Sequence, residues 1–177
     1  MKLYILIDRI PELPYFILSL LFLFTNPMPV SRQVFSSAFM YLLAAIGLGL
    51  LLKCLLRTER PREYHCIPIA RYDIPSLHTM VSVGAVAFVY FADPVYAIVL
   101  APVSVLYMVS RLKLGLHTRN AVFAGALLGL LVGLSCGSMM WTLDFKGLEP
   151  FLSSMFFITP PAATMFRLKY LSYTGSA

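Results

Sequence analysis

The chain has 177 residues, of which 59% are hydrophobic and only 12% are charged. Soluble domains carry about 25% charged residues, so this composition excludes an ordinary soluble protein. The length predicts one domain, residues 1–177, with no polar block long enough for a second, soluble domain. The formal net charge is +6, and most of it lies in two short stretches, Lys53–Arg71 and Arg111–Arg119. This concentration favours an anionic group bound at one place and gives no indication of a nucleic-acid partner.

Six apolar stretches are predicted to be membrane-spanning helices, because a span needs about 17–25 mostly apolar residues. In chain order they are Leu13–Phe24 (with a backward extension through Leu3–Ile10), Val34–Leu52, Leu77–Phe91, Val95–Val109, Asn120–Trp141 and Pro150–Phe166. Asp93-Pro94 is predicted to form a turn, and Pro160-Pro161 to kink or end the last helix. We therefore expect an all-α integral membrane bundle of about six transmembrane helices, with the lipid bilayer as its surroundings.

The order of the spans predicts where their charged ends meet. The second span ends at Lys53, the third begins near Ser76, the fourth ends near Arg111 and the fifth begins near Asn120. Successive spans cross the membrane in opposite directions, so all four ends are predicted to lie on one membrane face. Residues far apart in the sequence are therefore expected to converge there.

The fifth predicted span carries a stripe of glycines at every fourth position. The stripe consists of Gly125, Gly129, Gly133 and Gly137. Residues four apart share one face of a helix, and small residues on such a face allow a second helix to approach closely. Packing within one bundle is the favoured interpretation over dimerisation, and the oligomeric state stays open.

Three segments at the predicted convergence carry groups suited to phosphate chemistry. They are Lys53 to Arg60-Pro61, then Pro75-Ser76-Leu77-His78, then Ser110-Arg111 to His117. Arginine and lysine match phosphate oxygens, and two histidines suit a reaction that needs a nucleophile and a proton donor. No acidic cluster accompanies them, so neither a metal nor a cofactor is predicted.

These segments resemble the three-part signature of the type 2 phosphatidic acid phosphatase family, membrane lipid phosphate phosphatases related to the acid haloperoxidases. That signature reads Lys, six residues, Arg-Pro; then Pro-Ser-Gly-His; then Ser-Arg, five residues, His, three residues, Asp. The resemblance covers about Lys53 to Gly125. One such segment alone is weak, whereas three in order on one membrane face are specific.

The resemblance implies a role for each matched residue. His117 would attack phosphorus and form a phosphohistidine, and His78 would protonate the leaving oxygen. The phosphoryl oxygens would be bound by the side chains of Lys53, Arg60, Ser76 and Arg111 and by the backbone N–H of Leu77.

The chain departs from the family pattern at two positions. Leu77 replaces the glycine of the second segment, so its side chain is expected to narrow the pocket. Ala121 stands where the family has the aspartate that orients the nucleophilic histidine. Three interpretations are open: another group, with Asn120 or Asp73 nearest in sequence, takes the role; the chain is a deliberately inactivated variant; or it binds lipid phosphate without turnover. The otherwise intact motif favours the inactivated variant.

The expected activity is metal-independent hydrolysis of a lipid phosphomonoester or diphosphate whose tails stay in the bilayer. Bacterial members of the family suggest undecaprenyl diphosphate, phosphatidylglycerol phosphate or the 1-phosphate of lipid A. The alternatives are a non-catalytic lipid-phosphate binder or small transporter, and a lipid phosphotransferase. The family implies the bacterial inner membrane with a periplasmic site. Basic residues outside the motifs are more numerous on the motif face, which by the positive-inside rule favours a cytoplasmic site instead.

Overall fold

The computed structural model of the protein describes residues 13–61, 71–145, 147–159 and 162. Its helices are α1 (Leu13–Thr25), α2 (Met28–Leu56), α3 (Leu77–Ala92), α4 (Pro94–Lys113), α5 (Arg119–Ser138) and α6 (149–159). Over these ranges no strand forms, and the β-structure is an isolated bridge between Glu59 and Tyr72. The expected all-α bundle is therefore confirmed. The predicted extension over Leu3–Ile10 and the Pro160-Pro161 interruption lie outside the described residues.

Three helices, α2, α4 and α5, are long and apolar enough to cross a membrane, whereas α1 and α3 are shorter apolar helices. Large apolar side chains face outward, including Phe24 at 82% exposure, Ile98 at 72% and Phe123 at 71%. Soluble proteins rarely expose contiguous apolar surface, so these outward faces are typical of a protein that associates with a membrane.

α2 and α4 are several residues longer than the apolar pattern predicts, α1 and α3 end one residue later than predicted, and α5 ends earlier. α2 begins at Met28, not Val34, since a proline in its first turn is compatible with helix initiation. α4 continues to Lys113 past the polar Ser110 and Arg111, which are buried. α5 ends at Ser138, and turns follow from Met139 to Thr142. The predicted end at Trp141 is therefore wrong.

The glycine stripe of α5 lies against the backbone of α3. A Cβ at Gly125 would come 2.6 Å from the carbonyl oxygen of Ser76. Cβ atoms at Gly129 and Gly133 would overlap the carbonyl oxygens of Met80 and Gly84. The interpretation of the stripe as packing within one bundle is therefore confirmed.

This close packing fixes the N-terminal ends of α3 and α5 against each other. The Ser76 N–H donates to the Ala121 carbonyl across 3.0 Å. At the opposite end of the bundle, Gln33 Nε2 donates to the carbonyls of Met140 and Leu143 at 2.7 and 2.6 Å. Both ends are thus tied by polar contacts, and the N-terminal ends of α3 and α5 lie side by side as the span order predicts.

We expect Gly133→Ala to lower the free energy of unfolding by about 1–3 kcal/mol, because its Cβ would meet backbone that cannot rotate away. Gly47→Ala is the matched control, since nothing lies within 4 Å of a Cβ there and alanine is the better helix former. Unfolding of both variants in detergent is the measurement. Equal stability of the two variants would contradict the packing described for α5.

Candidate active site

A short antiparallel pairing brings the end of α2 to the segment before α3. α2 ends because Arg57 adopts a left-handed backbone conformation, φ 47°. The Asp73 N–H then donates to the Thr58 carbonyl at 2.7 Å, and the Ile74 N–H donates to Thr58 Oγ1 at 3.0 Å. This pairing places Asp73 beside the last turn of α2.

Two of the predicted phosphate-binding cations, Lys53 and Arg60, donate hydrogen bonds to the Tyr72–Asp73 segment before α3. The Lys53 side chain is buried, and its Nζ donates to the carbonyls of Tyr72 and Asp73, the latter at 3.0 Å. Arg60 Nε donates to the same Tyr72 carbonyl at 3.0 Å. Because both cations meet at Tyr72, the structure brings Lys53 and Arg60 together as the sequence predicts.

His117 contacts a carboxylate. Its Nδ1 lies 2.7 Å from Oδ1 of Asp73, and both side chains are almost completely buried. With Nδ1 as donor to the carboxylate, the ring carries its lone pair on Nε2. His117 therefore has the tautomer that a nitrogen nucleophile requires.

The second carboxylate oxygen of Asp73 is also bound. Oδ2 accepts hydrogen bonds from Thr118 Oγ1 at 2.5 Å and from the Thr118 N–H at 3.3 Å. Thr118 is the N-cap of α5, and its Oγ1 accepts from the Ala121 N–H at 3.2 Å. Asp73 is thereby tied to the N-terminus of α5 as well as to His117.

The surroundings of His117 favour the neutral imidazole. Burial lowers the pKa of His117 below its ordinary value of 6.5, and the positive charge of Arg60 lowers it further. The hydrogen bond to Asp73 raises the same pKa but does not offset the burial. The histidine is therefore neutral at pH 7, the form that can attack an electrophile.

The second predicted segment forms the start of α3. Ser76 is its N-cap and is fully buried, and Thr79 Oγ1 donates to Ser76 Oγ at 3.1 Å. The first N–H groups of a helix lack partners within the helix and favour anions, and Leu77 and His78 are the first two residues of α3. The Leu77 side chain packs against α2 and fills the space that a Cβ at Gly49 would take.

Two further predicted positions, Arg111 and Ala121, lie on the helices that precede and follow His117 in the chain. Arg111 is buried in the last turn of α4, and its carbonyl accepts from the Leu116 N–H at 3.1 Å, just before His117. Ala121 is completely buried in the first turn of α5. Asn120 is exposed, so of the two nearby candidates only Asp73 is shown in contact with His117.

Two contributions to the site were not predicted from the sequence. One is the Tyr72 carbonyl, which no side-chain pattern indicates. The other is Thr118, although a threonine just before a helical apolar run is a recognised N-cap signal. The sequence offers Asp73 only as one of two candidates, and its signal is a single carboxylate two residues before the Pro75-Ser76 motif.

An apolar cavity of about 390 Å³ begins at Leu77 and His78, at the start of α3, and continues into the bundle. It lies among α1, α2, α3, α4 and α6 and follows α3 from His78 to Ala92, roughly 21 Å at 1.5 Å per residue. Its walls are mainly aromatic and aliphatic side chains, among them Phe22, Phe35, Tyr41, Leu77, Ala85 and Phe88. The cavity has the apolar lining and the length to hold a hydrocarbon chain.

No group of three histidine, cysteine, aspartate or glutamate side chains in the described part of the chain is placed to hold a metal ion. The expectation of a metal-independent reaction stays a prediction. Comparisons with protein-family models, curated proteins and solved structures find no match to this chain. The family resemblance is therefore carried by the motif residues and their spacing.

We expect His117 to remain neutral at about pH 5.5, where an ordinary histidine is about nine-tenths protonated. Its pKa is lowered in the folded state, so the unfolded chain binds the proton more readily, and the free energy of unfolding decreases as the pH falls below 6.5. Nitrogen-15 NMR of histidine-labelled protein measures the titration. A His117 midpoint at 6.5 or above would contradict this account.

Proposed function

We propose that the protein is an integral membrane lipid phosphate phosphatase that uses His117 as its nucleophile, in a bundle of about six membrane helices. The observation that carries the proposal is the meeting of the three motif segments around a buried histidine that contacts a carboxylate. Lys53 and Arg60 meet at Tyr72, the adjacent Asp73 contacts His117, and Ser76 is bonded to Ala121. Such an arrangement suits transfer of a phosphoryl group more than simple binding of an anion.

In the first step, the Nε2 lone pair of His117 attacks phosphorus. The N–P bond forms while the bond from phosphorus to the leaving oxygen breaks, and His78 donates a proton to that oxygen. Lys53, Arg60 and Arg111, with the N–H of Leu77 and the Ser76 hydroxyl, stabilise the charge on the three remaining phosphoryl oxygens.

In the second step, water attacks the phosphohistidine. His78, now neutral, accepts a proton from the water as the new P–O bond forms and the N–P bond breaks. Inorganic phosphate leaves, and His117 returns to its neutral form. No electron transfer occurs, and all protons are accounted for by water and His78.

The cavity along α3 supports a substrate with a long hydrocarbon chain. The phosphate end would lie at His117 and His78, and part of the chain would lie inside the bundle instead of entirely in the bilayer. This agrees with a polyprenyl diphosphate such as undecaprenyl diphosphate, and equally with an acyl chain of phosphatidylglycerol phosphate or of lipid A 1-phosphate. The proposed location is the bacterial inner membrane, with the site on the periplasmic face.

We expect His117→Ala to abolish phosphate release from lipid phosphates in detergent with EDTA present, because no other group would form the phosphohistidine. Brief incubation of the wild type with substrate labelled on the transferred phosphoryl group should give a protein-bound label that is lost in acid and kept in alkali, and His117→Ala should show none. Binding of substrate without release would indicate the lipid-phosphate binder. Transfer of the label to a second lipid would indicate the phosphotransferase.

We expect Ala85→Phe to lower kcat/KM for a long-chain lipid phosphate by roughly tenfold or more, because Ala85 lines the middle of the cavity. Hydrolysis of a short-chain phosphate ester should be unchanged. The matched control is Ala101→Phe, which faces a separate apolar cavity among α3, α4 and α5. Equal losses on both substrates, or equal losses in both variants, would contradict a chain-binding role for the cavity.

A further inference from the structure

We infer that Asp73 is the positioning residue for His117 and takes the place of the aspartate that the family resemblance assigns to position 121. This inference rests on the proposed function, since it concerns the nucleophile of that reaction. The chain is accordingly a form in which the orienting carboxylate comes from a different segment. The interpretation of the chain as an inactivated variant loses its premise, because His117 has a carboxylate partner.

The contact satisfies what a nucleophilic histidine needs from its partner. The 2.7 Å separation of Nδ1 and Oδ1 fixes the Nδ1–H tautomer and the ring orientation. As phosphorus bonds to Nε2, positive charge develops on the ring, and an adjacent carboxylate stabilises that charge. Asp73 does not need to accept the proton in order to do this.

The carboxylate is held so that it cannot turn away from the ring. Oδ2 of Asp73 accepts a hydrogen bond from Thr118. The backbone N–H of Asp73 donates to the Thr58 carbonyl, and the Asp73 carbonyl accepts from Lys53. Thus the carboxylate, the carbonyl and the N–H of Asp73 each have a partner. A residue fixed in this way maintains the geometry within the few tenths of an ångström that efficient catalysis requires.

The same contacts offer a competing explanation, in which Asp73 only fastens the segment before α3 to α5. The two roles differ in what removal of the charge does. Asp73→Asn keeps the shape and the backbone contacts, so Lys53 and Arg60 should still bind phosphate. A purely structural residue, when lost, should weaken phosphate binding and chemistry together.

The test combines kinetics with NMR of the full-length protein in detergent. For Asp73→Asn we expect kcat to fall roughly 10²–10⁴-fold, with KM and inhibition by inorganic phosphate changed no more than a few-fold. The chain has three histidines, so the Nδ1 proton of His117 can be assigned, and its resonance should move to higher field when the acceptor loses its charge. Thr58→Val is the control, because it removes the Thr58 Oγ1 contact with Ile74 but leaves the carboxylate in place.

Each other outcome has a defined meaning. Wild-type kcat in Asp73→Asn would overturn the inference and leave the proposed function standing. Parallel losses of kcat and phosphate binding in Asp73→Asn and Thr58→Val would overturn it in favour of the structural role. If the wild type hydrolyses no lipid phosphate, the proposed function fails and the inference is overturned with it, even where NMR shows the contact between His117 and Asp73. Strong activation by Ala121→Asp would also overturn the inference, since it would mean that His117 lacks an adequate partner.

Discussion

The site depends on the burial of one acid, one base and one cation, Asp73, His117 and Lys53, around one short segment. A buried charge is costly unless it is paired or hydrogen-bonded. Here Lys53 is bound by the carbonyls of the Tyr72–Asp73 segment, while the Asp73 carboxylate is bound by His117 and Thr118. The charged groups thus stabilise each other through one short segment, and that segment joins α2, α3 and α5.

The helix packing supplies the precision that this polar centre needs. Because Gly129 and Gly133 have no side chain, α5 can lie directly on the backbone of α3, and the two N-terminal ends are held in register by the bond from Ser76 to Ala121. A looser contact would move His117 relative to the first turn of α3. The glycine stripe of α5 therefore helps to position the polar site.

The sequence predicts the part of the site that follows from helix order. Successive predicted spans alternate in direction, so the ends at Lys53, Ser76 and Arg111 are predicted to share a face, and the bundle brings the segments that follow these ends together. Helix order does not decide between Asn120 and Asp73 as the partner of His117, because Asp73 lies 44 residues from His117 in a segment outside the helices. Its position follows from the backbone pairing of Thr58 with Asp73, and neither apolar periodicity nor motif spacing encodes that pairing.

Asp73 lies in space near the position that the family pattern assigns to its aspartate, although the two positions are far apart in the sequence. The family pattern puts the aspartate in the first turn of α5, where the helix dipole favours a negative charge. Asp73 comes from another segment, yet its Oδ2 accepts from the N–H and the hydroxyl of Thr118, the N-cap of the same helix. The charge of Asp73 therefore lies at the N-terminus of α5 and beside Nδ1 of His117. The histidine requires a carboxylate at this place beside its ring, and more than one segment of a chain can supply the residue that carries it.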